Sequence, residues 1–174
     1  DGTITNYDTL SVSNVALVGP ATQFTVYAGQ TIAPSGEGVV GPLDVVGDLQ
    51  LRGTTTMDIN KTGSILSADL LTVSGTADLG GTLNVTLSGD AALTAGDSFV
   101  LLNLPTVLNA FTTVNLPALD SGLTWVNNLL VDGSIFVSTV GVAPSFTTQP
   151  SPSTVTAYSN ATFNFKAVAV GDYP

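Results

Sequence analysis

The chain is 174 residues long and 44% hydrophobic, enough to enclose a sizeable core and inconsistent with a disordered segment. Thirteen acidic residues stand against Arg52, Lys61 and Lys166, and the net charge of -10 argues against nucleic acid or an anionic bilayer as a partner. Cysteine and histidine are both absent, so disulfides, thiolate metal sites and cysteine nucleophiles are excluded and stability must come from packing and hydrogen-bonded ladders.

Only 9% of the residues are charged, against about 25% in an average soluble domain. Thr, Ser, Asn and Gly carry the surface polarity instead, which suits short strands and tight turns. The most apolar region, Phe99 to Leu108, is broken by Asn103 and Pro105 and falls short of the roughly 18 apolar residues that a membrane span requires. Direct membrane insertion is therefore not expected. Asp1-Gly2-Thr3 does not open a signal peptide, so an internal or processed segment is expected.

In chain order, a first apolar series comprises Leu10, Val12, Ala16, Val18, Phe24 and Val26. A second runs through Leu43, Val45, Leu49, Leu51, Met57 and Ile59, and a third through Leu71, Val73, Leu79, Val85 and Leu87. Apolar and polar residues largely alternate within each, the period-two signature of a strand with one buried face. In the second series Asp44, Asp48, Gln50 and Arg52 point away from the leucines and valines. Gly53-Thr54 and Gly80-Gly81 punctuate as turns. The second and third series superimpose at one constant shift, which sets Leu43 on Leu71, Val45 on Val73, Gly47 on Gly75, Leu51 on Leu79 and Gly53-Thr54 on Gly81-Thr82. The first series aligns on the second at a slightly longer shift, placing Leu10 with Leu43 and Phe24 with Met57.

A repeat of this length holds two short strands and a turn, and it cannot bury its apolar face alone. Stacked copies give inward ladders such as Leu10, Leu43, Leu71 and Phe24, Met57, Val85. The outward ladders are polar, with Asp58 beside Thr86 and Asn60 beside Ser88. The expected fold is all-β, a right-handed parallel β-helix or β-solenoid over residues 1–141, with a C-terminal cap at about 93–141. A β-sandwich of hairpins is the competing architecture; the repeat exceeds the spacing of about 8 to 12 residues that simple hairpins show.

Beyond Ser88, Thr94-Ala95-Gly96-Asp97 reads as a turn, and Pro105 and Pro117 interrupt the strands. Leu129-Leu130-Val131 and Ile135-Phe136-Val137 flank Asp132-Gly133-Ser134 as a hairpin. Trp125 is read first as a core or cap residue and second as a sugar-stacking platform. After Val142-Ala143-Pro144 the composition shifts, and residues 142–174 read as a linker and the opening strands of an incomplete Ig-like β-sandwich. The apolar strand over 161–170 could pair with a sheet edge of a neighbouring molecule.

The motifs Leu-Thr-Val-Ser-Gly, Leu-Gly-Gly-Thr-Leu-Asn-Val, Thr-Ala-Gly-Asp-Ser-Phe, Val-Asn-Leu-Pro-Ala-Leu, Gly-Leu-Thr-Trp and Asp-Gly-Ser-Ile-Phe-Val lie between Leu71 and Val137. This stretch resembles the end of the autotransporter-associated β-strand repeat family, which implies a β-helical segment of a very large secreted or surface-displayed bacterial protein. Residues 144–174 resemble the opening strands of the bacterial immunoglobulin-like domains that follow such repeats. Neither resemblance implies catalytic residues.

Chemistry is sparse in the sequence. Asp44 and Asp48 share a strand face but lie roughly 13 Å apart, too far for a glycosidase pair. The acidic residues are scattered mostly singly in turns, with neither a calcium nonapeptide nor an EF-hand loop. Asn60, Asn84 and Asn160 sit in N-glycosylation tripeptides, which arise by chance in a Thr/Asn-rich chain. No catalytic residue, metal ligand or cofactor is expected. The expected function is a non-enzymatic structural segment, stalk or fibre subunit, secreted or at the bacterial cell surface and self-associating through strand edges. The alternative is a carbohydrate-binding or adhesive module, with Trp125, Tyr158 and Tyr7 as stacking aromatics for a glycan.

Overall fold

Period-two alternation builds strands throughout the computed structural model, which describes residues 9–12, 16–141, 145–148 and 166–170. No helix occurs among the described residues. The chain divides after Ser138 into two units.

In the first unit, strands β1 (Thr9–Val12), β2 (Ala16–Val26), β3 (Thr31–Pro34), β4 (Pro42–Leu51) and β5 (Thr54–Thr62) are followed by β6 (Ile65–Ala68), β7 (Leu70–Val73), β8 (Thr76–Asp78) and β9 (Thr82–Gly89). Shorter strands come next: β10 (Ser98–Val100), β11 (Leu102–Asn103), β12 (Thr106–Leu108) and β13 (Thr113–Asn115). Two longer ones, β14 (Leu123–Asn128) and β15 (Ser134–Thr139), end the unit. One sheet has the parallel order β1-β3-β5-β9-β13, with β6 folded back antiparallel on β5. The other pairs β2 with β4, then β4 with both β7 and β8, which in turn pair β11 and β12, all parallel. Each successive coil gives one stretch to each sheet, so the fold is a β-solenoid of about three turns.

The constant shift expected between the second and third coils is the observed register. Leu43 pairs Leu71, Val45 pairs Val73, Met57 pairs Val85 and Ile59 pairs Leu87. The longer constant shift expected for the first coil is overturned. Val18 pairs Val46, a register irregularity intervenes, and Phe24 then pairs Leu49 rather than Met57. Leu10 pairs Ile32, not Leu43. The stretch of β2 from Val18 to Gln23 faces only Val46 to Asp48 on β4, so its extra residues are absorbed as a bulge and no constant shift can align this coil.

Leu43, Leu49, Leu51, Met57, Ile59, Leu71, Leu79 and Leu83 are fully buried between the sheets. Each such burial contributes roughly 1.5–3 kcal/mol. The corner between the sheets depends on glycine. Gly81 has φ +60°, and a Cβ there would lie 2.0 Å from the Gly53 carbonyl oxygen; one at Gly53 would lie 2.2 Å from the Gln30 carbonyl oxygen. Absence of a side chain lets successive corners touch backbone to backbone. The amides of Thr54, Thr82 and Thr112 then donate to the carbonyls of Gln30, Gly53 and Gly81, at 2.8, 3.0 and 2.9 Å.

Parallel pairing runs further than the sequence pattern suggests, since β11, β12 and β13 add short rungs to both sheets. Strands β10, β15 and β14 form a separate three-stranded sheet, in which Phe99, Ile135 and Val137 are buried. The hairpin expected there is displaced. Leu129, Leu130 and Val131 form the turn, and the strand preceding it ends at Asn128. In the second unit, β16 (Ser145–Thr148) pairs antiparallel with β17 (Val168–Val170). Residues 149–165, which carry most of the expected Ig-like strands, lie outside the described residues.

Candidate functional site

Many polar side chains on the solenoid bond from one coil to the next. On the sheet containing β4 and β8, Gln50 Nε2 donates to Asp78 Oδ2 at 3.1 Å, Asn109 Nδ2 donates to Asp78 Oδ1 at 2.8 Å, and Arg52 pairs with the same carboxylate. The hydrogen bonds from Asn109, Arg52 and Gln50 hold the Asp78 pKa down to about 2 against the opposing effect of burial. One acid thus ties three coils together. Asp48 does similar work at the adjoining corner, where its Oδ1 accepts the Thr76 N–H at 2.7 Å.

Asp58 was expected on an outward polar ladder, and it does accept the Thr86 hydroxyl at 2.7 Å. It is nevertheless buried, because the connection between β3 and β4 folds over it and the Gly38 N–H donates to its Oδ2 at 2.6 Å. Asp69, between β6 and β7, is also buried and accepts the N–H groups of Gly41 at 2.7 Å and Asp58 at 2.8 Å. Burial pushes its pKa up to about 6, the Asp58 charge adds to the rise, and the two amides oppose it. The two carboxylates together fasten the connection over residues 35–41 to the second coil.

Lys61 falls on the inward side of β5, two residues beyond Ile59, and is buried. Its Nζ reaches Asp97 Oδ2 at 2.7 Å and Thr94 Oγ1 at 3.0 Å, while the Thr94 N–H donates to the same carboxylate at 2.7 Å. Burial alone would raise the Asp97 pKa, but the Lys61 hydrogen bond, the Thr94 amide and the Lys61 charge outweigh it and the net shift is downward. This pair ties the end of β5 to the turn before β10.

A second arrangement is a ladder of threonines. Thr9, Thr31, Thr54, Thr82 and Thr113 occupy paired positions on five successive parallel strands. Two residues further along, Thr56, Asn84 and Asn115 form a parallel column, in which Asn115 Nδ2 donates to Asn84 Oδ1 at 2.7 Å. Next come Asp58 and Thr86, and then Asn60 and Ser88, joined at 3.0 Å. The hydroxyls of Thr31, Thr54, Thr82 and Thr113 make no hydrogen bond among the described residues. The Tyr27–Gln30 turn sits at the corner from which this column starts. The Thr54 N–H donates to the Gln30 carbonyl there, and Tyr27 is 64% exposed.

Trp125 is half-buried in β14, packed against the core, with Nε1 donating to the Pro117 carbonyl at 2.8 Å and its ring centroid 6.4 Å from that of Phe99. Tyr7 and Tyr158 lie outside the described residues, as does Asn160. Asn60 and Asn84 are both engaged in the outer-face bonds given above. A shallow cleft of about 140 Å³ lies beside Leu102, Val107 and Leu130. The ionisable side chain lining it is Asp132, whose Oδ1 accepts the Ser134 hydroxyl at 2.6 Å. Among the described residues no group of three or more acidic side chains is placed to hold a metal.

Sequence reasoning missed the burial of Asp58 and Asp69 and the roles of Lys61 and Tyr27. A signal existed for Lys61 in its parity with Met57 and Ile59; none existed for Asp69, whose partners come from two separate coils. No family model matches the chain, and no significant relative was found among curated proteins or solved structures.

Proposed function

We propose that the chain is a non-enzymatic structural segment of a large secreted or surface-displayed bacterial protein, serving as a stalk or as a subunit of a fibre or surface assembly. The observation carrying this reading is that most carboxylates of the solenoid are spent on bonds between its coils. Asp48, Asp58, Asp69, Asp78 and Asp97 each hold a backbone or side-chain donor from another part of the coil stack or its closing turn. Charges committed in this way stiffen a stack rather than convert a substrate. The resemblance to autotransporter-associated repeats rests on the motifs between Leu71 and Val137 and supports the same reading. Within it the helix is right-handed, the sheet of β10, β14 and β15 acts as a cap, and residues 142–174 open an immunoglobulin-like domain.

Self-association would use the outer strands of the two sheets, whose edge N–H and C=O groups can pair with another chain. Negative-stain micrographs of the purified protein across a concentration series test the proposal. Filaments or sheets identify a fibre subunit, separate short rods identify a stalk, and rounded particles with no long axis would overturn it. A second reading, a carbohydrate-binding or adhesive module, is favoured by one observation, the ladder of threonine hydroxyls on Thr31, Thr54, Thr82 and Thr113 that make no hydrogen bond among the described residues.

A further inference from the structure

We infer that the threonine ladder is a docking track for a neutral polysaccharide, laid across the strands along the solenoid axis, with Tyr27 as an aromatic contact at its margin. The inference rests on the second reading above and gives it a site and a ligand class.

Three features favour this occupant. First, Thr31, Thr54, Thr82 and Thr113 repeat once per rung, and parallel strands lie about 4.8 Å apart, so four hydroxyls span about 14 Å. An extended polysaccharide also repeats its hydroxyls at a fixed interval, close to one sugar per rung. A hydroxyl both donates and accepts, so each rung can bond a sugar hydroxyl in either sense. Stiff β-branched threonines on a parallel sheet lose little rotamer freedom when they do so.

Second, the two columns of the track carry no charge, and Asp58, the next outward residue on β5, is buried beneath the Gly38 connection. The columns hold Thr31, Thr54, Thr82 and Thr113, then Thr56, Asn84 and Asn115, whereas the other sheet displays Asp44, Asp48, Arg52 and Asp78. With a net charge of -10 on the chain, a uronate or sulfated glycan is repelled and a neutral one is not. Third, Tyr27 is held at the corner of the track by the reciprocal bonds of its turn. Its N–H donates to Gln30 Oε1 at 2.8 Å, and the Gln30 N–H returns to the Tyr27 carbonyl at 3.0 Å. An exposed ring on a fixed turn gives a sugar an apolar face to stack on without further ordering.

Retention of the full chain would be measured on insoluble cellulose and chitin and in gels containing neutral mixed-linkage β-glucan, with polygalacturonate as the anionic comparison. The expected result is retention by at least one neutral polymer and none by polygalacturonate. Thr54→Val with Thr82→Val preserves shape and strand preference while removing two hydroxyls, and should weaken retention at least about tenfold, each lost bond being worth roughly fivefold. Tyr27→Ala, which lies off the strands, should weaken it comparably, and Asp44→Asn on the other sheet should not. Retention unchanged by both Thr54→Val/Thr82→Val and Tyr27→Ala would overturn the track and leave a carbohydrate module with its site elsewhere. No retention on any neutral polymer would overturn the carbohydrate reading as well, and loss of self-association instead of glycan retention would make the face an interface between copies.

Discussion

Gly81→Ala should destabilise the protein by on the order of 4 kcal/mol, enough to unfold it in part at room temperature. Two costs add at this position. A left-handed φ of +60° strains any residue with a Cβ, and the new methyl group would sit 2.0 Å from the Gly53 carbonyl oxygen, which belongs to backbone and cannot rotate away. Relief would require the two coils to separate, which lengthens the Thr82 to Gly53 bond and opens the leucine ladder behind it. Gly96→Ala is the internal comparison. It shares a positive φ of +96°, but nothing lies within 4 Å of its Cβ position, so about 1 kcal/mol is expected. Urea denaturation followed by circular dichroism gives both values, and equal losses at the two sites would remove the close contact between corners as the reason for glycine.

Asp69→Ala should cost on the order of 3 kcal/mol near pH 5 and distinctly less near pH 8. The substitution leaves the buried Asp58 N–H and the part-buried Gly41 N–H without an acceptor, at roughly 1–3 kcal/mol for the buried one and less for the other. The pH dependence comes from the native carboxyl. Its folded pKa of about 6 lies above the ordinary value of 3.8, so the folded state binds the proton more tightly than the unfolded chain. Its contribution is fully present below about pH 4 and is lost as the pH rises through 6. Asp78 acts in the opposite sense: with a folded pKa of about 2, its contribution is present above about pH 4 and lost on further acidification. Stability should therefore peak at mildly acid pH. Denaturation midpoints from pH 4 to pH 8 test this, and a wild-type midpoint that rises through pH 6, or an Asp69→Ala deficit independent of pH, would count against it.

The stacked coils were legible in the sequence wherever two copies share one length. Leucine, valine and glycine recur at a constant interval between the second and third coils because the strand pairs there are uninterrupted, so side-chain period and coil length stay in step. The first coil does not follow a constant shift because the residues between Val18 and Gln23 break the register within a single strand pair. Alternation placed Asp58 correctly on the outer side of its strand. It could not show that the chain over residues 35–41 returns to cover that side, since a connection carries no periodic signal. The hairpin near Asp132 was displaced for a related reason: Leu129, Leu130 and Val131 have the apolar character of a strand, yet the Val131 and Asp132 amides close back on the Asn128 carbonyl as a turn. The threonine ladder was only partly visible, as Thr54 over Thr82. Its extension to Thr31 and Thr113 crosses coils of unequal length, which only the backbone pairing reveals.

Disulfide trapping between coils tests the stacked register most directly, and a chain without native cysteine makes it clean. Asp44 and Thr72 are paired on β4 and β7. Parallel neighbours about 4.8 Å apart meet the Cα separation that a disulfide requires. The double variant Asp44→Cys/Thr72→Cys should oxidise to an intramolecular bridge under mild conditions. Asp44→Cys/Thr76→Cys, displaced by roughly 13 Å along the strand, should not. A folded first variant that fails to bridge, or a second that bridges as readily, would contradict the solenoid register on which the coil-to-coil bonds and the threonine ladder depend.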